Sequence, residues 1–166
     1  MAWDADAYDG LRDAGIDFVA YLPDSVVAPV IERAEEDEEV TAVRVAREEE
    51  AVAVLSGAWL GGRRGALICQ TSGLANCFNA LGSHVVPGGI PFVGLVTRRG
   101  DLGEHNLAQI PAGYGMPRML DTLGVRNRGL DADDDVREYV SMAGETCFST
   151  ETPYVLLLEE TLTGGK

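Results

Sequence analysis

Short, wholly apolar runs alternate with longer stretches of helical character along this chain, and that alternation is what most limits its fold. Tyr154-Val155-Leu156-Leu157-Leu158 has no polar face, and Phe18 to Leu22, Ala66 to Cys69 and Phe92 to Val96 read similarly. Strands apolar on both sides belong inside a parallel sheet covered by helices on both faces. Thr41 to Val45 and Val125 to Arg128 bring the strands to five or six. Helices are predicted over about 4–14, from Asp24 to about Ala34, from Glu48 to Leu60, from Leu74 to about Ser83 and, capped by Asp131 or a neighbour, to about Cys147. Pro29 is expected to bend the second of these. The pattern predicts an α/β fold, a single three-layer αβα domain over residues 1–166 with a mostly parallel five- or six-stranded sheet.

In such sheets ligands bind beyond the carboxyl ends of the strands. Here those ends are Leu22-Pro23-Asp24-Ser25, Arg47-Glu48, Gln70-Thr71-Ser72-Gly73 and Thr97-Arg98-Arg99-Gly100-Asp101, where polar residues and glycines concentrate. Residues 97–117 are read as an irregular, functional loop.

Each of these segments has a structural and a chemical reading. Glu48-Glu49-Glu50 opens a helix, where acidic residues stabilise the first turn by ~0.3–1 kcal/mol each. Glu48 also precedes the small and apolar run Ala51 to Ala58, and a carboxylate at the mouth of a buried helix is a candidate proton relay. Gly73 permits close backbone approach at a helix start, which suits either an ordinary cap or a polar ring. Asp24 is a candidate N-cap. Arg98 and Arg99 suit an anionic substrate, or a local ion pair with Asp101 or Glu104. His105 is the better placed of two histidines for catalysis; His84 is given no role. No GK[ST], GxSxG or HExxH pattern occurs.

Charge narrows the partners. The net charge is −14, and Lys166 is the only lysine. Such a chain repels nucleic acid and anionic membranes. The acidity, densest at residues 35–39 and 131–135, reads as a solvated surface or as adaptation to high intracellular salt, hence a halophilic source. Cys69, Cys77 and Cys147 have no metal spacing and read as buried apolar residues, which with no secretory leader suggests a cytoplasmic setting. No apolar run approaches the ~20 residues that span a bilayer.

Taken together, the segments resemble the pyrimidine-binding (Pyr) domain of thiamin-diphosphate decarboxylases. The helix Glu48-Glu49-Glu50-Ala51-Val52-Ala53-Val54-Leu55-Ser56-Gly57-Ala58-Trp59 is similar to that domain's E-x-x-A-x-x-x-A-x-G-[YW] helix. LPDSVVAP (22–29), CQTSGLANCFNAL (69–81), TRRGDLGE (97–104) and AQIPAG (108–113) resemble, in order, segments of the sulfopyruvate and phosphonopyruvate decarboxylases. The resemblance implies that Glu48 bonds the aminopyrimidine of thiamin diphosphate and assists its proton transfers. It implies that Pro23, Gly73 and Asn76 lie along that ring, that Ser25 and Arg99 meet the substrate's anionic groups, and that His105 is a second catalytic residue.

The family also needs a GDG…N motif to hold Mg²⁺, which this chain lacks. The resemblance therefore implies the α half of a split enzyme. A β chain carrying the diphosphate-binding domain would supply the Mg²⁺ ligands, with thiamin diphosphate held at the interface of the hetero-oligomer. The implied substrate is a small anionic 2-oxoacid, 3-sulfopyruvate first and phosphonopyruvate second. A non-catalytic Pyr-like assembly module is the reading from another class, and a flavodoxin-like nucleotide-binding domain is a weaker one.

Overall fold

The computed structural model describes residues 3–164. Six strands form one sheet in the order β2-β1-β3-β4-β6-β5: β1 Phe18–Tyr21, β2 Thr41–Arg44, β3 Gly65–Gln70, β4 Val93–Thr97, β5 Arg126–Leu130 and β6 Tyr154–Leu158. Every pairing is parallel, so the sheet is more uniform than the mostly parallel one expected.

Helices α1 Trp3–Asp13, α2 Ala28–Glu36 and α8 Val136–Thr150 cover one face. Helix α3 Glu48–Leu60, the broken segment from Thr71 to Gly88 and α7 Ile110–Leu123 cover the other. The central strands serve both cores by alternation. Val19, Tyr21, Ala66, Ile68, Val93 and Leu95 point to the first, and Ala20, Leu67, Cys69 and Val96 to the second. Burying each large aliphatic side chain contributes ~1.5–3 kcal/mol, so two covered faces explain why these strands carry no polar stripe. Helices α1 and α8 approach closely enough that a Cβ on Gly10 would lie 2.7 Å from the Arg137 carbonyl oxygen.

The connection from β1 leaves towards α2 on one face, and that from β3 leaves towards the other. The chain thus reverses direction between β1 and β3, opening a crevice above their carboxyl ends. Tyr21 pairs with Ile68 and Gln70 with Thr97, so the loops after β1, β3 and β4 emerge at nearly one level.

Several expected boundaries move. Asp24 does not cap α2: its side chain accepts from the Val26 N–H at 3.1 Å, and the turn this closes delays the helix to Ala28. Pro29 then falls in the first helical turn, where its missing N–H costs nothing, instead of bending the helix. The helix expected from Leu74 to Ser83 starts at Thr71 and is broken into α4 Thr71–Asn76, α5 Phe78–Ala80, a π-helical turn Leu81–Val85 and α6 Val86–Gly88. The supposed loop 97–117 is irregular as far as Gln109 and helical from Ile110 on. Pro111 sits in the first turn of α7, and Pro117 is carried inside it, where it removes one backbone hydrogen bond. Buried Met116 and Leu120 hold that helix to the sheet. Asp135 caps α8 through the Glu138 N–H at 3.1 Å. A last short helix, α9 Glu160–Thr163, follows β6 and has no strong signal in the sequence.

Candidate active site

The loop after β1 is tied to the end of β4. Besides closing its own turn, Asp24 Oδ1 accepts from the Thr97 hydroxyl at 3.1 Å. Thr97 is only 3% exposed, so this bond is shielded from water. Pro23 and Ser25 ride on the same loop and are exposed.

Helix α3 brings its first residue inward. Arg47 is extended and offers no side-chain cap. Glu50 instead reaches back to accept from the Ala46 N–H at 2.9 Å, and Glu49 pairs with Arg47 at 2.8 Å. Those two acidic residues stabilise the helix start from outside, whereas Glu48 is 6% exposed. Its carboxylate makes no hydrogen bond among the described residues. It lies against Gly73, the third residue of α4: a Cβ there would overlap Oε1 and Cδ of Glu48 and lie 2.6 Å from its Cγ. Burial, and next the charge of Glu48, raise the Cys77 thiol to about 12. Cys69 is also pushed well up, by burial above all. All three cysteines are free and buried, as expected of apolar core residues.

The loop after β4 is held from three sides. The Arg99 N–H donates to Oγ1 of fully buried Thr71 at 3.1 Å. The Arg99 carbonyl abuts α7 where a side chain on Gly113 would overlap it. The Arg99 guanidinium meets Glu104 through Nε at 2.8 Å and Nη2 at 3.1 Å. Glu104 also accepts from the N–H groups of Gly100 at 3.2 Å and Asn106 at 2.8 Å. Arg99 first, then the Asn106 N–H, hold the Glu104 carboxyl down at about 2. Arg98 is spent differently, between Asp101 at 2.5 Å and Glu159 at 2.6 Å. Both arginines are therefore ion-paired, as the structural reading of the sequence allowed. Beside them opens a cavity of about 590 Å³ lined by Val26, Thr97, Arg99, His105 and Glu160, among others.

The sequence-derived residues thus fall into two groups. Glu48 meets Gly73 at the mouth of α3, and Arg99 joins His105 at the cavity. The ties through Asp24–Thr97 and Thr71–Arg99 link the loops that carry them. Asn76, at the end of α4, is exposed. Thr71 and Thr97 were missed, because an isolated threonine beside a strand end carries no pattern. His84 packs with its Nε2 3.0 Å from Ser56 Oγ. The Ser56 hydroxyl donates to the Val52 carbonyl at 2.7 Å, so His84 Nε2 is the donor in this pair. Among the described residues no three His, Cys, Asp or Glu side chains gather as metal ligands, and no helix is long and apolar enough to cross a membrane.

Fold and site together define a doubly wound α/β protein with a largely buried carboxylate, unbonded among the described residues, at its topological switch. No family model matches the chain. The sulfopyruvate decarboxylase subunit alpha of Methanococcus maripaludis is 36% identical over 152 residues, covering 92% of this chain and 91% of that one. The phosphonopyruvate decarboxylase of Streptomyces viridochromogenes is 43% identical over 105 residues, covering 63% of this chain and 26% of that one. The chain belongs to the family of sulfopyruvate decarboxylase alpha subunits. In three dimensions it resembles a 2-oxoglutarate:ferredoxin oxidoreductase from Magnetococcus marinus, with a TM-score of 0.71 at 16% identity over 98% of this chain and 29% of that one. At that identity the likeness speaks for the fold.

Proposed function

We propose that this chain, as one Pyr domain, is half of a two-chain, thiamin-diphosphate-dependent decarboxylase converting 3-sulfopyruvate to sulfoacetaldehyde and CO₂, a step of coenzyme M biosynthesis. The observation that carries the proposal is Glu48 against Gly73. A largely buried carboxylate, seated in the space that only a glycine at position 73 leaves and without a hydrogen-bond partner among the described residues, fits a group that shares a proton with a ring nitrogen. The alpha-subunit relatives, matched over nearly their whole length, support the split-enzyme reading.

When bound, thiamin diphosphate supplies the nucleophilic carbon and the electron sink for loss of CO₂. Glu48 is assigned to share a proton between its carboxylate and the ring, held in place by its seat against Gly73. Pro23, Gly73 and Asn76 are assigned to the ring's surroundings. Ser25 and Arg99 bind the substrate's anionic groups. His105, on the cavity wall, is the second catalytic group, delivering a proton at the carbon that loses carboxylate. Overall one proton replaces the CO₂ lost from the 2-oxoacid, leaving the aldehyde. The β chain supplies the diphosphate-binding domain and the Mg²⁺ ligands, so neither half turns over alone. The three buried, unpaired thiols suit a cytoplasmic setting, and the acidic, lysine-poor composition suits a halophilic source.

The alternative reading is the alpha half of a phosphonopyruvate or other 2-oxoacid decarboxylase, supported by the 43% identity over 105 residues to the Streptomyces enzyme. The test is CO₂ release by the co-purified chains with thiamin diphosphate and Mg²⁺, offered each substrate in turn. Preference for 3-sulfopyruvate is expected. Activity on phosphonopyruvate alone moves the substrate and keeps the mechanism. Silence on both from an intact complex refutes both substrates and moves the assignment to another 2-oxoacid.

A further inference from the structure

Two adjacent arginines border the cavity, and their surroundings separate them. Arg98 lies between two carboxylates, Asp101 on Nη2 and Glu159 on Nη1, and its Nε is buried without a partner. Both Nη nitrogens are taken by carboxylates, and burial shields the unpartnered Nε from a ligand in the cavity. Arg99 is held by one carboxylate through one edge, Nε and Nη2, which leaves Nη1 without a partner among the described residues. Its backbone is pinned independently, by Thr71 and by the close pass of Gly113.

The side chain of Glu104 is 6% exposed and accepts four N–H bonds, two from Arg99 and one each from Gly100 and Asn106. It closes the loop that carries Arg99 and sets the plane of the guanidinium. Acidic groups dominate the vicinity: Glu160 lines the cavity, Asp24 lies close by, and Asp101 and Glu159 flank Arg98. A dianionic substrate is repelled by such walls unless one cation is presented in a fixed direction. A guanidinium fixed along one edge does this with little loss of side-chain entropy on binding.

We propose that Arg99, and not Arg98, meets the substrate's second acidic group through Nη1, and that Glu104 is the positioning residue that aims it. This rests on the proposed 2-oxoacid substrate.

The test uses the assembled two-chain enzyme with thiamin diphosphate and Mg²⁺. Steady-state kinetics on 3-sulfopyruvate are measured for wild type, R98A, R99A, R99K, E104Q, E104A and the R99A/E104A pair. Calorimetry on the same complexes measures binding of 3-sulfopropanoate, a dianion without the keto group. Loss of a charge-assisted contact is expected to raise KM about a hundredfold in R99A and about tenfold in E104Q, with kcat within about twofold, and R99K should recover part of the loss. The double variant should be no worse than R99A, since Glu104 acts only through Arg99. R98A should leave KM within about twofold of wild type.

Multiplying effects of R99A and E104A, an unchanged KM in E104Q, or a larger KM effect from R98A would overturn the inference. So would wild-type binding of 3-sulfopropanoate by R99A, or no binding by the wild-type complex. An intact wild-type complex that binds the dianion through Arg99 but releases no CO₂ would refute the functional proposal and leave this one standing. Co-elution of the two chains and the far-ultraviolet spectrum identify any variant that has failed to fold; for Glu104, E104Q then serves in place of E104A.

Discussion

The carboxylate of Glu48 occupies the space that a side chain on Gly73 would need. One residue opens α3 and the other sits in the first turn of α4, so the contact fixes how two helices on one face of the sheet meet at its carboxyl edge. A buried carboxylate normally finds a donor; this one meets a glycine's open face.

Gly73→Ala should therefore damage function more than fold. The added methyl must displace Glu48, because the Gly73 backbone is held inside α4. Overpacking of this kind costs ~1–3 kcal/mol of stability. Misplacing a group that acts on a bound ring lowers the rate by about a hundredfold. Thermal melting and CO₂ release of the assembled pair would check this; a G73A enzyme with wild-type kcat would remove Glu48's position from the mechanism.

Glu48→Gln keeps the shape and removes the exchangeable proton. Turnover of the assembled pair should fall by about 10²- to 10⁴-fold. Co-elution of the two chains should be unaffected, since Gln fills the same volume. Activity within a few fold of wild type would leave Glu48 a purely structural residue.

The Arg99–Glu104 clasp makes stability depend on acidity. Glu104 sits at about 2, below its ordinary value of 4.5, so the folded chain favours its charged form. The stabilisation is complete above the unfolded value, near 4.5, and is lost as pH falls towards about 2. Asp13, held down chiefly by Arg137, Asp37, held down chiefly by Tyr8, and Asp134, held down chiefly by the Asp131 N–H, push in the same direction. Wild type should melt at a higher temperature than E104Q at neutral pH, with the two curves converging near pH 2. A gap independent of pH would show that Glu104 acts by packing alone.

The thiols should be silent in the native state. Burial raises Cys77 and Cys147 to about 12, and Cys69 is also raised. At pH 8 the thiolate fraction is then about 10⁻⁴ for the first two, and none of the three is open to reagent. An aromatic disulfide reagent should label them only on unfolding. Rapid labelling of folded chain would mean that the helices open readily, over β3 and α4 if Cys69 or Cys77 reacts and at α8 if Cys147 does.

The residues by themselves determined the layers and the edge at which chemistry gathers. Fully apolar strands such as Tyr154 to Leu158 cannot serve a one-faced sheet, and the breaks after Leu22, Gln70 and Thr97 place polar groups at strand ends whatever the strand order. Glu48 stood out because an acidic residue directly precedes a run that must be buried. Local pattern failed where a side chain's partner is distant in sequence. Asp24 looks like a helix cap until Thr97, far along the chain, offers it a hydroxyl. Pro111 and Pro117 look like loop residues until the sheet supplies enough burial for Met116 and Leu120 to carry a helix through them. Arg98 and Arg99 are indistinguishable as neighbours in sequence. Glu159, brought in at the end of β6, ties down the first and leaves the second an open edge. Periodicity and composition record what each segment must bury. Which polar groups are consumed by one another, and which remain free to act, depends on contacts that exist only once the strands are assembled in their order.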